Sequence, residues 1–343
     1  MKTYRVGVAA LVHDHVWGEL RRWQALPNVQ IVAAGDVNPE LRERIRRDYG
    51  VEKTYDSWQE MLATEGESLD IVQIAAENSV HADIVETAAT NGLHLLVEKP
   101  MAATLAQAER MVRAAEKADV RLMINWPTAW QPAFQEMERR ILAGDIGQVR
   151  YFKYRSAHNG PKEIGCDPRF WEWLYDGEKN GAGAFMDYCC YGAAMAARFL
   201  GLPEKVTGLR GVLAKDYPLP DDNAIVTMQY RNALAVAEAS WTQVTGYAGA
   251  NPVAYGSEGA LSILHGKVQL FKPGKDVETI EPAAPEAPHR SAPEYFIHCL
   301  ETGSEIEGVC SATIGRLSQE ILEAGLRAAD TGQTQNLPIP IER

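Results

Sequence analysis

What most constrains this chain is the rhythm of its first 125 residues, where short apolar runs alternate with amphipathic stretches. Residues 5–12 read as a strand and 17–26 as a helix, and 31–34 form a second strand that runs out at Asp36. A helix over 39–49 carries Pro39 near its first turn, where a missing N–H leaves no bond unmade. Residues 70–76 (DIVQIAA), 94–97 and 121–125 are further strands, separated by helices over 81–91 and 105–118. Strands and helices alternating through short links require parallel pairing with right-handed crossovers. The expected fold class is α/β, opening with a doubly wound parallel sheet.

After residue 125 the grammar changes. A helix over 132–143 and a turn over 144–147 precede a strand over 149–156, and 181–200 is helical after its glycines. Strand-like runs at 206–213, 224–230, 234–240, 261–264 and 268–271 follow, joined by turns, which predicts a mostly antiparallel sheet. A Pro/Ala-rich stretch at 282–293 reads as an exposed loop, and 311–329 as a closing helix. A chain of 343 residues suits two cores of moderate size, so the expected domains are 1–125 and 126–343.

Asp and Glu outnumber Lys and Arg 46 to 34, for a formal net charge of −12. Phosphate backbones are held mainly by Lys and Arg, so this balance argues against a nucleic-acid partner. No segment is apolar over the thickness of a bilayer, and the first residues lack the apolar core of a secretory signal, so no membrane partner is expected. The five cysteines follow no framework spacing and fit reduced thiols in the cytoplasm.

A strand entering a helix, with an acid at the end of the next strand, is the outline of a Rossmann dinucleotide-binding unit. Asp36 stands where a carboxylate takes the adenosine ribose hydroxyls and repels a 2′-phosphate, favouring NAD over NADP. Its plainer reading is a strand-end residue that caps the next helix. The loop expected to read G-x-G-x-x-G is instead Ala10-Leu11-Val12-His13-Asp14-His15. Val12 or a neighbour then brings a side chain where phosphate normally meets bare backbone. His13 and His15 either donate to phosphate oxygens in compensation or form a surface turn. Nothing nearby in the sequence completes a metal-ligand set around them, so no metal is expected.

Further along, Glu98-Lys99-Pro100 follows a strand, and the segment Ile74-Ala75-Ala76-Glu77-Asn78-Ser79-Val80-His81 precedes it. Asp187 opens a helix that carries Tyr191 one turn later on the same face. Together with AGDIGQVRYFKYRS, GAGAFMDYCCYG and GSEGALSI, these segments resemble the Gfo/Idh/MocA family, the glucose–fructose oxidoreductase and inositol dehydrogenase group, over nearly the whole chain. The resemblance implies an N-terminal Rossmann domain and a C-terminal α/β domain with a mostly antiparallel open sheet that makes the oligomer contact, hence a homodimer or homotetramer. It also implies a nicotinamide cofactor, NAD rather than NADP here, and a small carbohydrate-like substrate. Lys99 matches the lysine beside the nicotinamide, before a proline that is often cis. Ala10, Leu11, Val12, His13, His15, Asp36, Ala75, Asn78, His81 and Glu98 fall along the implied cofactor cleft, and Asp187 matches the catalytic-face aspartate.

Tyr191 departs from the family pattern, which places a histidine there. Oxidising an alcohol needs a proton to leave oxygen as hydride leaves carbon, and an imidazole near pKa ~6.5 suits this better than a phenol near ~10. Either Tyr191 acts as a phenolate beside the Lys99 ammonium, or Lys99 is the acid/base while Asp187 and Tyr191 orient substrate; the second is preferred. A buried helix-face tyrosine is the plain alternative. Trp126, Trp171 and His158 are candidate substrate contacts, against readings as packing aromatics and a loop histidine. The expected activity is hydride transfer between NAD and a sugar or polyol hydroxyl. The alternatives are an NAD-assisted glycoside hydrolase or lyase working through transient oxidation, and a non-catalytic sugar or nucleotide sensor.

Overall fold

The computed structural model describes residues 2–340. The chain begins β1 (Tyr4–Ala9), α1 (Val16–Gln24), β2 (Val29–Gly35), α2 (Pro39–Tyr49), β3 (Lys53–Tyr55) and α3 (Trp58–Glu65). It continues β4 (Ile71–Ile74), α4 (His81–Thr90), β5 (His94–Glu98), α5 (Leu105–Ala118) and β6 (Leu122–Asn125). The six strands lie in the order β3-β2-β1-β4-β5-β6, every pair parallel. Helices cover both faces, which is why Val6, Val8, Ile71, Val72, Leu95 and Leu96 are all wholly buried instead of alternating with polar residues. The strand order reverses between β1 and β4, so their carboxyl ends open a crevice where such sheets take ligands.

The remainder runs α6 (Pro132–Leu142), β7 (Val149–Ala157), α7 (Pro168–Leu174), α8 (Gly177–Asn180), α9 (Ala184–Leu200), β8 (Lys205–Gly211), β9 (Asn223–Gln229) and β10 (Leu234–Ser240). Then follow β11 (Val253–Gly256), β12 (Ala260–Leu264), β13 (Lys267–Phe271), β14 (Glu278–Ile280), α10 (Ala292–Thr302), α11 (Ala312–Thr331) and β15 (Gln335–Asn336). Nine strands form one sheet in the order β14-β13-β12-β11-β7-β10-β9-β8-β15. It is mixed: β7 and β10 pair in parallel, and the other neighbours are antiparallel. Along β7, Phe152, Tyr154 and Ser156 are buried while Tyr151, Lys153 and Arg155 stay half-exposed, the alternation of a sheet covered on one side. The Ala-rich α9 lies tightly on that side; a Cβ added at Gly192 would come within 2.5 Å of the Ala237 Cβ. Helix α11 packs on α9 and β8 and also on α5, tying the two sheets together.

Several elements escaped the sequence pattern. Strand β3 is too short to show a period, and α7 and α8 are only seven and four residues long. Helices α3 and α10 did leave a signal, a Ser-x-x-Glu start in which Ser57 and Ser291 accept the Glu60 and Glu294 amides. The expected loop over 282–293 runs directly into α10. Strand β1 stops at Ala9 instead of reaching residue 12, because Ala10 turns left-handed with φ 65°.

Candidate active site

A buried ion pair stands at the end of β5. Lys99 follows that strand, through a cis peptide to Pro100, and Asp187 lies in the first turn of α9. Lys99 Nζ donates to Asp187 Oδ1 at 2.6 Å, with the two side chains only 2% and 6% exposed. Burial by itself disfavours the ammonium, but the Asp187 charge outweighs it and holds Lys99 above its ordinary value. At rest, Lys99 is therefore a charged proton donor. The start of α9 is fixed by Asp221, whose carboxylate accepts the Gly183 and Phe185 amides at 3.1 and 2.7 Å. Only glycine fits at 183, since a Cβ there would meet the Asp221 carbonyl oxygen at 2.2 Å.

Tyr191 shares this face of α9. The Lys99 ammonium is 5.2 Å from the centre of its ring, and Trp126 meets the ring edge-on at 5.6 Å. Burial first, and then Cys190 and Asp187, hold the phenol well above its ordinary value. That favours a neutral hydrogen-bonding tyrosine over a phenolate. His158, just beyond β7, accepts the Gly160 amide on Nδ1 at 2.8 Å and meets Tyr188 edge-on at 4.9 Å. Burial lowers its pKa despite the opposing pull of Asp187, so the neutral ring carries its proton on Nε2. Tyr188 was not anticipated. It follows Asp187 directly, and burial and that carboxylate push its phenol up. Trp171 is placed apart from this group, its ring against Tyr175 and the Lys162 ammonium. Cys189 and Cys190 are buried thiols that donate to the backbone carbonyls of Ala237 and Asp187.

Around the crevice, the loop after β1 keeps a nucleotide-binding shape without its glycines. Ala10 takes the left-handed conformation normally given to the first glycine, and Leu11 N–H then donates to Asp36 Oδ2 at 2.6 Å. Asp36 Oδ1 accepts the Asn38 amide at 2.7 Å, and burial raises its pKa. Val12 is nearly buried, and the Ala75 carbonyl accepts from His13 N–H at 3.1 Å. The His13 ring is 1% exposed and packs on Phe170 and Trp173 of α7 at 4.8 and 5.8 Å. That buried stack corrects the surface-turn reading of this histidine.

His81 and Asn78 both bond to neighbouring parts of the protein. His81 is fully buried, with its ring nitrogens against the carbonyl oxygens of Met101 and Ala76 at 3.1 and 3.2 Å. The neutral ring has one N–H, so it donates to one of these carbonyls. Asn78 donates through Nδ2 to Asn180 Oδ1 at 2.8 Å, linking the segment after β4 to α8. Its Oδ1 is buried without a partner, as is the Trp173 indole N–H. Glu98 accepts from Asn125 Nδ2 at 2.8 Å and faces His15 Nδ1 at 3.1 Å. Sequence separation hid this: Glu98 lies 83 residues from His15, yet it completes with His13 and His15 a group whose ligand atoms all fall within 4.8 Å of one another. No sequence neighbour completes this set; the fold brings Glu98 to it.

The crevice fits a nicotinamide dinucleotide. Asp36 supplies acceptors at the end of β2, beside Val37, which is 72% exposed and offers an apolar surface for a base. Asn78 Oδ1 and the Trp173 N–H are each buried without a partner, one acceptor and one donor left over for a bound group.

Fold and site together define a two-sheet α/β protein with a dinucleotide crevice and a buried Lys–Asp pair beside it. A family profile described as an oxidoreductase family with an NAD-binding Rossmann fold matches residues 6–126, and the GFO/IDH/MocA C-terminal domain matches 134–262. The chain belongs to this GFO/IDH/MocA oxidoreductase family. It is 38% identical over 128 residues to a D-apiose dehydrogenase of Paraburkholderia graminis, covering 37% of this chain and 34% of that protein. It is 29% identical over 268 residues to an NADP(+) D-xylose 1-dehydrogenase of Haloarcula marismortui, covering 74% and 70%. A scyllo-inositol 2-dehydrogenase (NAD(+)) of Bacillus subtilis is 27% identical over 187 residues, 54% of this chain and half of that one. The first and third matches thus span a third and a half of those relatives' lengths. A levoglucosan dehydrogenase in complex with NADH and levoglucosan superposes with a TM-score of 0.82 at 20% identity, covering 98% of this chain and all of that one. An aldose–aldose oxidoreductase from Caulobacter crescentus gives 0.81 at 23%, with 98% and 100% covered. At such identities these structures show the shared fold.

Proposed function

We propose that this protein is an NAD-dependent oxidoreductase that moves hydride between the nicotinamide and a sugar or polyol hydroxyl, with Lys99 as the acid/base. The buried Lys99–Asp187 pair at the end of β5 carries the reading, because a buried charge pair is costly to build and clusters at sites of proton transfer. The cofactor, when bound, supplies the hydride acceptor or donor. A substrate oxygen placed against Lys99 receives the ammonium's hydrogen bond, which stabilises negative charge on that oxygen. In carbonyl reduction Lys99 gives up its proton. In alcohol oxidation a hydroxyl entering between Lys99 and Asp187 loosens the pair; Lys99 then passes its proton to solvent, and the neutral amine accepts the hydroxyl proton as hydride leaves carbon for the nicotinamide. Asp187, Tyr191 and the His158 Nε2–H orient neighbouring hydroxyls, and Trp126 supports Tyr191.

Asp36 supports NAD, since a 2′-phosphate would face a buried carboxylate whose oxygens already accept the Leu11 and Asn38 amides. Residues 1–125 form the cofactor unit in this reading, and 126–343 the substrate and assembly unit. Leu209, Leu234, Tyr255 and Phe271 are exposed on the second sheet, which supports a homodimer or homotetramer joined there. The free cysteines support a reducing, cytoplasmic setting. Among the described residues no helix is long and apolar enough to cross a membrane.

Calorimetric titration with NAD, NADH and NADPH tests the cofactor half of the reading, on protein checked for carried-over nucleotide. Binding of NAD and NADH with NADPH much weaker is expected. NADPH binding as tight as NADH overturns the role of Asp36, and no binding of any of the three overturns the oxidoreductase reading.

A further inference from the structure

We infer that His13, His15 and Glu98 form a binding site for one divalent ion of the zinc or cobalt type, clamping the loop after β1 to the end of β5. Three observations point there. The two imidazoles and one carboxylate place their ligand atoms within 4.8 Å of one another, an N₂O donor set suited to ions of borderline softness. The donors are already held: Asn125 Nδ2 bonds Glu98 at 2.8 Å, His13 Nδ1 accepts the His15 N–H at 3.3 Å, and Phe170 and Trp173 form an apolar wall against His13. Metal-binding residues typically have such outer partners, which fix the rings and carboxylates before the ion arrives.

The third observation is a negative surplus. Glu98 is wholly buried, and among the described residues its recorded ion-pair partner is His15 alone. Lys99, its neighbour in sequence, is committed to Asp187. Glu19, whose carboxyl feels the Glu98 charge, is ion-paired to Arg22, so the uncompensated charge is that of Glu98. A buried carboxylate without a fixed cation is costly, and an ion bound by the two imidazoles supplies that cation. His15 is the gate, its side chain 35% exposed while Glu98 is not exposed at all. The chemistry also fits the missing glycines. The loop carries two imidazole donors where the glycine pattern would offer none.

The test is titration of tag-free, metal-stripped protein with Co²⁺, read by the visible absorption of the bound ion, and by metal analysis after Zn²⁺ loading and desalting. About one ion per chain is expected, with His15→Ala and Glu98→Gln each weakening cobalt binding about tenfold or more. His15 is half-exposed, so its alanine variant keeps the fold, which circular dichroism checks. No cobalt spectrum from folded wild-type protein, or cobalt binding unchanged in folded His15→Ala, overturns the site. Neither readout uses nicotinamide binding, so the outcome is separable from that of the oxidoreductase reading.

Discussion

Lys99 and Asp187 lie 88 residues apart in sequence, and a 2.6 Å hydrogen bond from ammonium to carboxylate joins them inside the protein. Removing one partner of such a pair leaves the other buried and uncompensated. Asp187→Ala is expected to destabilise the fold by about 3–5 kcal/mol, whereas Lys99→Met combined with Asp187→Ala recovers most of that loss. Urea midpoints of the two variants check this. A double variant as unstable as the single one contradicts a charge-driven cost.

Tyr191→Phe separates orientation from acid/base work. The ring keeps its contacts with Trp126 and Tyr154, so stability holds within about 1 kcal/mol. If the hydroxyl only orients substrate, KM rises while kcat stays within a few-fold. Loss of kcat by two orders of magnitude or more, with KM unchanged, would make Tyr191 the proton-transfer group.

Ala10 carries backbone strain. Its left-handed conformation costs about 1–2 kcal/mol, and the extra freedom of an unfolded glycine offsets about 0.4–1 kcal/mol of any relief. Ala10→Gly is therefore expected to leave stability unchanged or raise it by up to about 1.5 kcal/mol. A lowered thermal midpoint contradicts this account of the loop.

Mild acid should destabilise the protein through its buried histidines. Burial is the first cause lowering the pKa of His13, His81, His94 and His158 below the ordinary value. The unfolded chain then takes up protons near about pH 6.5 that the folded chain refuses, so stability falls as pH drops from 7 through that window, by up to about 1.4 kcal/mol per unit for each histidine. Glu19 works the other way: burial, then the Glu98 charge, raise it to about 7, and the folded state gains on protonating it. Burial raises Asp14, Asp36 and Asp221 too, from ordinary values well below this window; within it the four imidazoles outweigh Glu19, so the urea midpoint at pH 5.5 should lie below that at 7.5. A flat or rising profile toward acid contradicts the neutral buried histidines.

Much of the fold was legible because strong periods survive in single sequences. The apolar runs at β1, β4 and β5 and the alternation along β7 report burial directly. The parallel β7–β10 pair was not legible, since pairing direction depends on how the chain returns rather than on what a strand contains. At the site, Lys99, Asp187 and Tyr191 could be named because local context marks them. Asp221 could not, because its work is to cap α9 across a large sequence gap. His81 could be named from its position, but its full burial between the Met101 and Ala76 carbonyls could not. The loop at residues 10–15 read as degraded because glycine was absent, although its conformation was kept by placing Ala10 at φ 65°.

The central claim, hydride transfer at Lys99, is tested most directly by nicotinamide reduction. Wild-type protein and Lys99→Met are each given NAD and a panel of aldoses and inositols, and reduced-cofactor absorbance is followed, with NAD affinity measured in parallel. The account predicts NADH formation with at least one panel member, and a rate about a hundredfold or more lower in the variant, with NAD still bound. Equal rates in the two proteins, or no NADH from any sugar or polyol with NAD demonstrably bound, would contradict it.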